Sequence, residues 1–384
     1  MEFQKLIEKH YPDVEVVCKS IYQNPEIALE EFESCKKVVA LLKEKGFEVE
    51  EGYAGLPTAF KAVKHGGEGP RLMIPVEYDA LPEIGHACGH HLICGMSLLA
   101  GLALGDVIEE CGGEVALIGT PAEETGEGKT PMAQAGCFDE YDAAMMMHPA
   151  SVTYANAYGT SIGVYDITFT GRIAHSGGAP YDGLNSLDAV VQMYNAVSMM
   201  RQQLRDGTRI NGIILSGGTV INAIPDHCVI RYEIRTLTMD YYYHVADRLR
   251  KCAEAAALAT GCEMKFELSM PICCAMNHSK ALVKRYRELL AKYGYEENPE
   301  DPGPLTTDMG DVSQIVPSLH AMVKVSNDDE QLHTAGFLKA SDQPLAWEMM
   351  QKHAAMLAEL GYQVFTDKGL LEELRKEKKV LWDK

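Results

Sequence analysis

Leu72-Met73-Ile74-Pro75-Val76-Glu77-Tyr78-Asp79 is the stretch that decides the fold class. A short apolar run closed by two acids predicts a buried strand over Arg71 to Val76. Glu114 to Gly119 repeats the pattern and ends at Pro121-Ala122-Glu123-Glu124. Tyr141 to Met147 repeats it again and ends at His148-Pro149. Between the first two runs, Leu92 to Leu104 is rich in Leu, Ala and Met and predicts a buried helix. Strands alternating with helices predict a mostly parallel α/β sheet. The polar residues then stand at the C-terminal ends of strands, where such sheets bind ligands.

Upstream, Val14, Val17, Ile21, Val38, Val39, Leu41 and Leu42 recur at helical spacing between about 13 and 46. Pro25-Glu26 interrupts that pattern and Gly46 stops it. Phe47 to Val49 and Thr58 to Val63 predict short strands. Near residue 163 the rhythm changes: Val164 to Thr170 alternates apolar and polar residues, the mark of a half-solvated strand and a possible pairing edge. A helix from about Gly183 to Arg205 follows, then strands Ile213 to Ser216 and Cys228 to Thr236, a helix from about Asp240 to Leu258, and a strand from Glu263 to Ser269. This β-α-β-β-α-β order is the ferredoxin-like plan. It predicts a domain over 164–275 inserted into a discontinuous one, 1–163 with 276–384. A helix from Asn277 through Tyr293 resumes the first pattern.

The chemistry is concentrated in His86-Ala87-Cys88-Gly89-His90-His91. Cys88 and His90 are two apart and share one side of an extended or turning segment. Gly85 and Gly89 allow a sharp bend. Thiolate and imidazole beside the carboxylates of Asp79, Glu123 and Glu124 are what a divalent metal site needs. Each residue has a plainer reading. Cys88 beside an apolar helix reads as a core thiol, His148 at a strand end as structural, and Glu123-Glu124 with Glu127 and Lys129 as a solvated turn. Neighbours in an extended chain point to opposite sides, so Glu123 and Glu124 suit two separate jobs.

Composition narrows the class. The 384 residues suggest two or three domains, and 46% hydrophobic with 23% charged residues is ordinary for a globular protein. A net charge of −20 argues against nucleic acid or an anionic membrane as partner, though not against an anionic small substrate. Neither a secretory signal nor a membrane-spanning run is expected. The 11 cysteines, an odd number without framework spacing, predict reduced thiols and a cytoplasmic location.

Eight segments taken together resemble the di-metal aminoacylase and carboxypeptidase family, in its amidohydrolase branch. They are Glu77-Tyr78-Asp79-Ala80-Leu81-Pro82, His86-Ala87-Cys88-Gly89-His90, Pro121-Ala122-Glu123-Glu124, Met147-His148-Pro149, Ala174-His175-Ser176, Gly217-Gly218 through Asn222, Thr307-Asp308-Met309-Gly310-Asp311-Val312-Ser313 and His333-Thr334. The resemblance is greatest to p-aminobenzoyl-glutamate hydrolase subunits and β-alanyl-lysine type dipeptidases. It implies a lid and dimerisation role for the inserted domain. It implies Cys88 as the ligand bridging two divalent metal ions, with His90, Glu124, His148 and His333 completing the set. Glu123 is then the general base for the nucleophilic water, and Asp79 orients a ligand or the base. His175 and Asn222 stabilise the oxyanion, often across a dimer. His91 stands where the family usually has Asp or Asn, and His86 and His91 are read as supporting residues rather than ligands. Arg235 is a candidate for a substrate carboxylate, with Arg172 and Arg209 as alternatives.

The function implied is hydrolysis of an amide bond in a small N-acyl amino acid or dipeptide by a homodimer. Zinc or manganese suits the donors, with cobalt or nickel as alternatives. A hydrolytic deaminase or decarbamoylase on the same scaffold is one competing reading. A metal-stabilised binding protein without turnover is another.

Overall fold

The computed structural model describes residues 2–301, 303, 305–327 and 329–382. The chain divides into two units, Met1–Tyr158 with Met276–Lys384, and Gly159–Ala275. The first begins with strands β1 (Glu48–Glu51), β2 (Phe60–His65), β3 (Arg71–Val76), β4 (Glu114–Gly119) and β5 (Ala143–Ala150). The second holds β6 (Ser161–Thr170), β7 (Ala174–His175), β8 (Arg209–Ser216), β9 (Ala223–Ile224), β10 (His227–Thr236) and β11 (Glu263–Leu268). The first then resumes with β12 (Ser318–Lys324).

The sheet of the first unit runs β1-β2-β4-β3-β5-β12. β3 is parallel to β4 and β5, and β5 to β12. β1 and β2 join antiparallel at one edge, so the sheet is mixed and mostly parallel. Alternate side chains of its strands feed two cores, which is why the runs are apolar throughout. Leu72, Ile74, Val76, Val115, Leu117, Met145 and Met147 pack into one core. Met73, Ala116, Ile118, Ala144 and Met146 pack into the other. Helices Phe3–Gln23, His90–Gly105 and Pro344–Thr366 pack together on the first. All of His90–Gly105 is buried, which explains its lack of any polar face. The short helices Lys129–Gln134 and Met309–Ser313 cover the second core through Met132, Met309 and Val312.

Several expectations change here. The first helix begins at Phe3, well before the expected start, and carries Pro12 inside it. Burial of Phe3, Ile7, His10 and Val14 along one face offsets the lost backbone bond. β12 and the helices Pro344–Thr366 and Lys368–Trp382 go beyond the elements read from the sequence.

The second unit carries a four-stranded antiparallel sheet, β11-β6-β10-β8. Helices Ser186–Met200 and Met239–Thr260 pack on it, over Ile167, Phe169, Ile230, Tyr232 and Ile234. The alternating burial of β6 and β10 is that of a sheet covered on one face. β6 lies between β11 and β10, so it is not the pairing edge the sequence suggested; the edges are β8 and β11. Alternation alone marks a half-buried strand and does not reveal whether both of its backbone sides are paired. β8 is also longer than expected, because its first half alternates too weakly in hydropathy to be seen. β7 and β9 form a separate two-stranded ribbon.

Candidate active site

β3, β4 and β5 are neighbours, and their C-terminal ends deliver the candidate residues to one place. Glu77 and Asp79 follow β3, Glu123 and Glu124 follow β4, and His148 lies near the end of β5. Cys88 and His90 enter from the turn that starts the long buried helix. Gly89 between them has φ +84°, and a Cβ there would meet Pro149 Cγ at 2.6 Å. Only glycine lets both flanking side chains reach the strand ends.

Three overlapping groups bring their donor atoms within 4.8 Å of one another: Cys88, His90 and His148; Cys88, Glu124 and His333; and His90, Glu123 and Glu124. Cys88, His90 and Glu124 each belong to two of them, so the groups form one connected cluster. The hydrogen bonds set the imidazoles. His90 Nδ1 lies 2.9 Å from both the carbonyl O and Oδ1 of Asp79, so it donates, and in the neutral ring Nε2 carries a lone pair. His148 Nδ1 donates to the Pro149 carbonyl at 2.8 Å, and its Nε2 accepts from the Cys88 thiol at 3.4 Å. Around His90 Nε2 stand Glu77 Oε2 at 3.6 Å, Glu123 Oε2 at 3.8 Å and Glu124 Oε1 at 3.9 Å. His333 Nε2 is 3.5 Å from Glu124 Oε1. His90 Nε2, Glu77 Oε2 and Glu124 Oε1 are buried without a hydrogen-bond partner among the described residues. Lone pairs of N, S and O aimed at one another, buried apart from the half-exposed His333, fit divalent metal ions.

Backbone strain is concentrated at the same place. Ala122 and His333 are among the non-glycine residues with positive φ, at 57° and 64°. The Ala122 turn is held by Glu31, which accepts its N–H at 2.9 Å, and Asp79 Oδ2 accepts the Glu124 N–H at 3.1 Å. His333 N–H donates to the Ala87 carbonyl at 3.0 Å. Glu123–Thr125 is a single helical turn, not extended chain. The two glutamates therefore do not point to opposite sides, and both carboxylates face His90.

The electrostatics are those of a buried, acid-rich site. Burial, then Glu77 and Asp308, pushes the Glu123 carboxyl well above its usual range. Burial opposes the Asp79 charge, but His90 and hydrogen bonds from His90 and Glu124 hold that carboxyl low. Burial raises the Cys88 thiol, a direction a bound cation reverses. Burial, then His90, pushes His148 down to about 4.

Lys129 is not part of a solvated turn. It is fully buried, with Nζ 2.6 Å from both Glu77 Oε1 and Asp308 Oδ1. A lysine in a polar, glycine-bearing loop carries no local sign of such burial, and Glu31 carries none of its link to Ala122. Glu77 and Asp308 stand inside motif segments that gave them no role. His91 turns away from the donor groups: its Nε2 donates to the Ser341 carbonyl at 3.2 Å, and its ring packs on Tyr22 and Trp347. His86 is buried beside His91 and belongs to none of the donor groups.

The remaining candidates lie in the second unit. The β7–β9 ribbon brings His175 and Asn222 together, with the Ser176 N–H donating to the Asn222 carbonyl at 3.0 Å. Gly177 and Gly178 N–H groups donate to His175 Nδ1 at 3.2 and 3.0 Å, which places the ring proton on Nε2. Arg235 makes a two-point pair with Glu233, two residues back on β10, at 2.8 and 3.2 Å. Arg172 Nε donates to the Asp182 carbonyl, and Arg209 to the Thr208 carbonyl.

Comparison with known proteins agrees with this geometry. The sequence profile of peptidase family M20/M25/M40 matches residues 73–356. The chain is 34% identical over 383 residues to the Xaa-Arg dipeptidase of Mus musculus, covering 94% of this chain and 87% of that one. It is 26% identical over 351 residues to the N-acetyl-L-cysteine deacetylase of Bacillus subtilis (strain 168), covering 83% and 81%. Among solved structures, the Bacillus subtilis YXEP protein, a dinuclear metal binding peptidase from the M20 family, superposes with a TM-score of 0.74 at 21% identity, covering 93% of this chain and 99% of that one. The chain belongs to peptidase family M20/M25/M40, and it is a metal-dependent hydrolase of amide bonds.

Proposed function

We propose that this chain hydrolyses the amide bond of dipeptides or N-acyl amino acids at the site built by Cys88, His90, Glu123, Glu124, His148 and His333. The observation that carries the reading is the convergence of these groups on the ends of three adjacent strands, with Asp79 fixing the His90 tautomer. Cys88, His90, Glu124, His148 and His333 would hold two divalent ions, zinc or manganese. The ions supply Lewis acidity, making a water acidic and polarising the scissile carbonyl. Glu123 removes the proton of the attacking water and returns it to the leaving nitrogen. Asp79 orients the His90 ring throughout.

In this reading residues 164–275 are a ferredoxin-like lid and dimerisation domain, and 1–163 with 276–384 are the catalytic domain. The element order β6, helix, β8, β10, helix, β11 and the strand order β11-β6-β10-β8 support the first part. Ile213, Ile214 and Leu215 lie exposed on the edge strand β8 and support pairing with a second copy. His175 donates from Nε2 to the developing oxyanion, with Asn222 beside it. A substrate carboxylate takes Arg235 in competition with Glu233. An odd number of cysteines, 11, without framework spacing supports a reducing, cytoplasmic location. Among the described residues no helix is long and apolar enough to cross a membrane.

A dipeptide with a basic C-terminal residue is the first substrate to try. The Xaa-Arg dipeptidase relative bears such a specificity in its name, and a net charge of −20 favours approach of a cation. The test loads the metal-free protein with zinc or manganese and follows amino-acid release from Xaa-Arg and Xaa-Lys dipeptides and N-acyl amino acids. Release by the wild type, abolished in Glu123→Ala with metal content unchanged, is expected. No release from any of them, or near-normal release by Glu123→Ala, overturns the reading. Ammonia as product moves it to the deaminase or decarbamoylase alternative.

A further inference from the structure

Glu77 follows β3 directly and is 1% exposed. Its two oxygens face different neighbours. Oε1 lies 2.6 Å from Lys129 Nζ, and Oε2 lies 3.6 Å from His90 Nε2. In the neutral His90 ring that metal binding requires, the proton is on Nδ1, engaged by Asp79, and the second contact is between two lone pairs. Neither Glu77 Oε2 nor His90 Nε2 has a hydrogen-bond partner among the described residues. Two such atoms in a buried site repel unless a proton or a metal cation lies between them. With metal–donor bonds of about 2.0–2.2 Å, a separation of this size fits two donors on one ion.

Lys129 does not account for Glu77 by itself. Asp308 already neutralises the lysine: its Oδ1 is 2.6 Å from Nζ and its Oδ2 accepts the Lys129 N–H at 2.8 Å. One buried ammonium therefore faces two buried carboxylates, and the cluster carries one negative charge too many. Uncompensated buried charge is costly. Glu77 is the member of this cluster whose second oxygen faces His90.

We propose that Glu77 is a further carboxylate donor of the metal centre, on the His90 side, and that Lys129, braced by Asp308, is the positioning residue that aims it. The proposal rests on the metal-centre reading above. Lys129 holds one oxygen and so fixes the direction of the other. It also limits the charge that Glu77 brings to a site already holding Glu123 and Glu124.

The test measures zinc affinity of the metal-free chain by competition with a chromophoric chelator, with elemental analysis for stoichiometry. Wild type is compared with Cys88→Ser, Glu77→Gln and Glu77→Met, the last two leaving Lys129 paired with Asp308. Folding is checked by circular dichroism and apo thermal unfolding, and either Glu77 variant answers where the other does not fold. Weakening of one zinc by about 10- to 100-fold in the Glu77 variants is expected. A purely structural Glu77 would lower the apo melting temperature and leave zinc affinity untouched. Wild-type affinity in the folded Glu77 variants, with Cys88→Ser weakened, overturns this proposal and leaves the metal centre standing. No zinc uptake by the wild type overturns both.

Discussion

The carboxylate of Glu31 accepts the backbone N–H of Ala122 at 2.9 Å and the hydroxyl of Thr58 at 3.0 Å, wholly out of solvent. Glu31 immediately precedes the Phe32–Glu44 helix, and Ala122 opens the turn that presents Glu123 and Glu124. Glu31 thus pins a strained turn that carries the proposed base Glu123 and the proposed ligand Glu124. Glu31→Ala leaves two buried donors unpaired and should lower stability by roughly 2–4 kcal/mol. It should also reduce turnover. Glu31→Gln keeps an acceptor for Ala122 and should lose less than half as much. Urea unfolding of the three proteins checks this, and equal stability of wild type and Glu31→Ala would remove the pin from the account.

Asp79 divides its carboxylate between the His90 ring and the Glu124 N–H. Asp79→Asn keeps the size but offers an amide N–H where one of those partners also donates. Zinc affinity should fall about 10- to 100-fold while the fold survives, the usual cost of losing a partner that orients a metal ligand. Titration calorimetry of the metal-free protein measures it. Unchanged affinity would mean that the His90 tautomer is held by the Asp79 carbonyl alone.

The outer strand β8 exposes Ile213 and Ile214, 60% and 45% accessible. A charged residue there blunts the edge through which the proposed dimer would pair. Ile214→Lys should convert a dimer to a monomer in sedimentation experiments, with the metal content of each chain unchanged. A wild type that is monomeric at micromolar concentration contradicts the dimer.

Acid should unfold the protein well before its carboxylates are all protonated. His353 is fully buried beside Tyr295, and burial, then Lys352, pushes it down to about 3 from 6.5. Between those values the unfolded chain binds a proton at His353 that the folded chain refuses. Stability therefore falls as pH drops through that window, by up to about 1.4 kcal/mol per pH unit from this residue. His353→Leu should make the decline between pH 6 and about 4 shallower by one proton. Denaturant unfolding of the metal-free protein at several pH values measures the difference, and identical slopes would place the acid sensitivity elsewhere.

The short-range features are legible because their causes are local. The apolar runs of β3, β4 and β5 and the all-apolar helix after Cys88 announce burial on every side. The Cys88-Gly89-His90 spacing announces a turn carrying two soft donors. The full length of β8 and the interior place of β6 are not legible, because pairing partners are set by strands distant in sequence. Lys129 reads as an exposed residue in sequence, because only Glu77 and Asp308, brought in from β3 and from the segment before β12, make its burial tolerable.

The sequence by itself determined the class of chemistry and the sheet on which it is built, since hydropathy patterns and donor types belong to single segments. Tertiary structure alone decided which donors share a point in space. His148 and His333 join Cys88, Glu31 props the Ala122 turn, and Glu77 is aimed at His90 by a buried lysine. Each of these depends on long loops closing around a packed core, and loop closure leaves no mark on the residues it brings together.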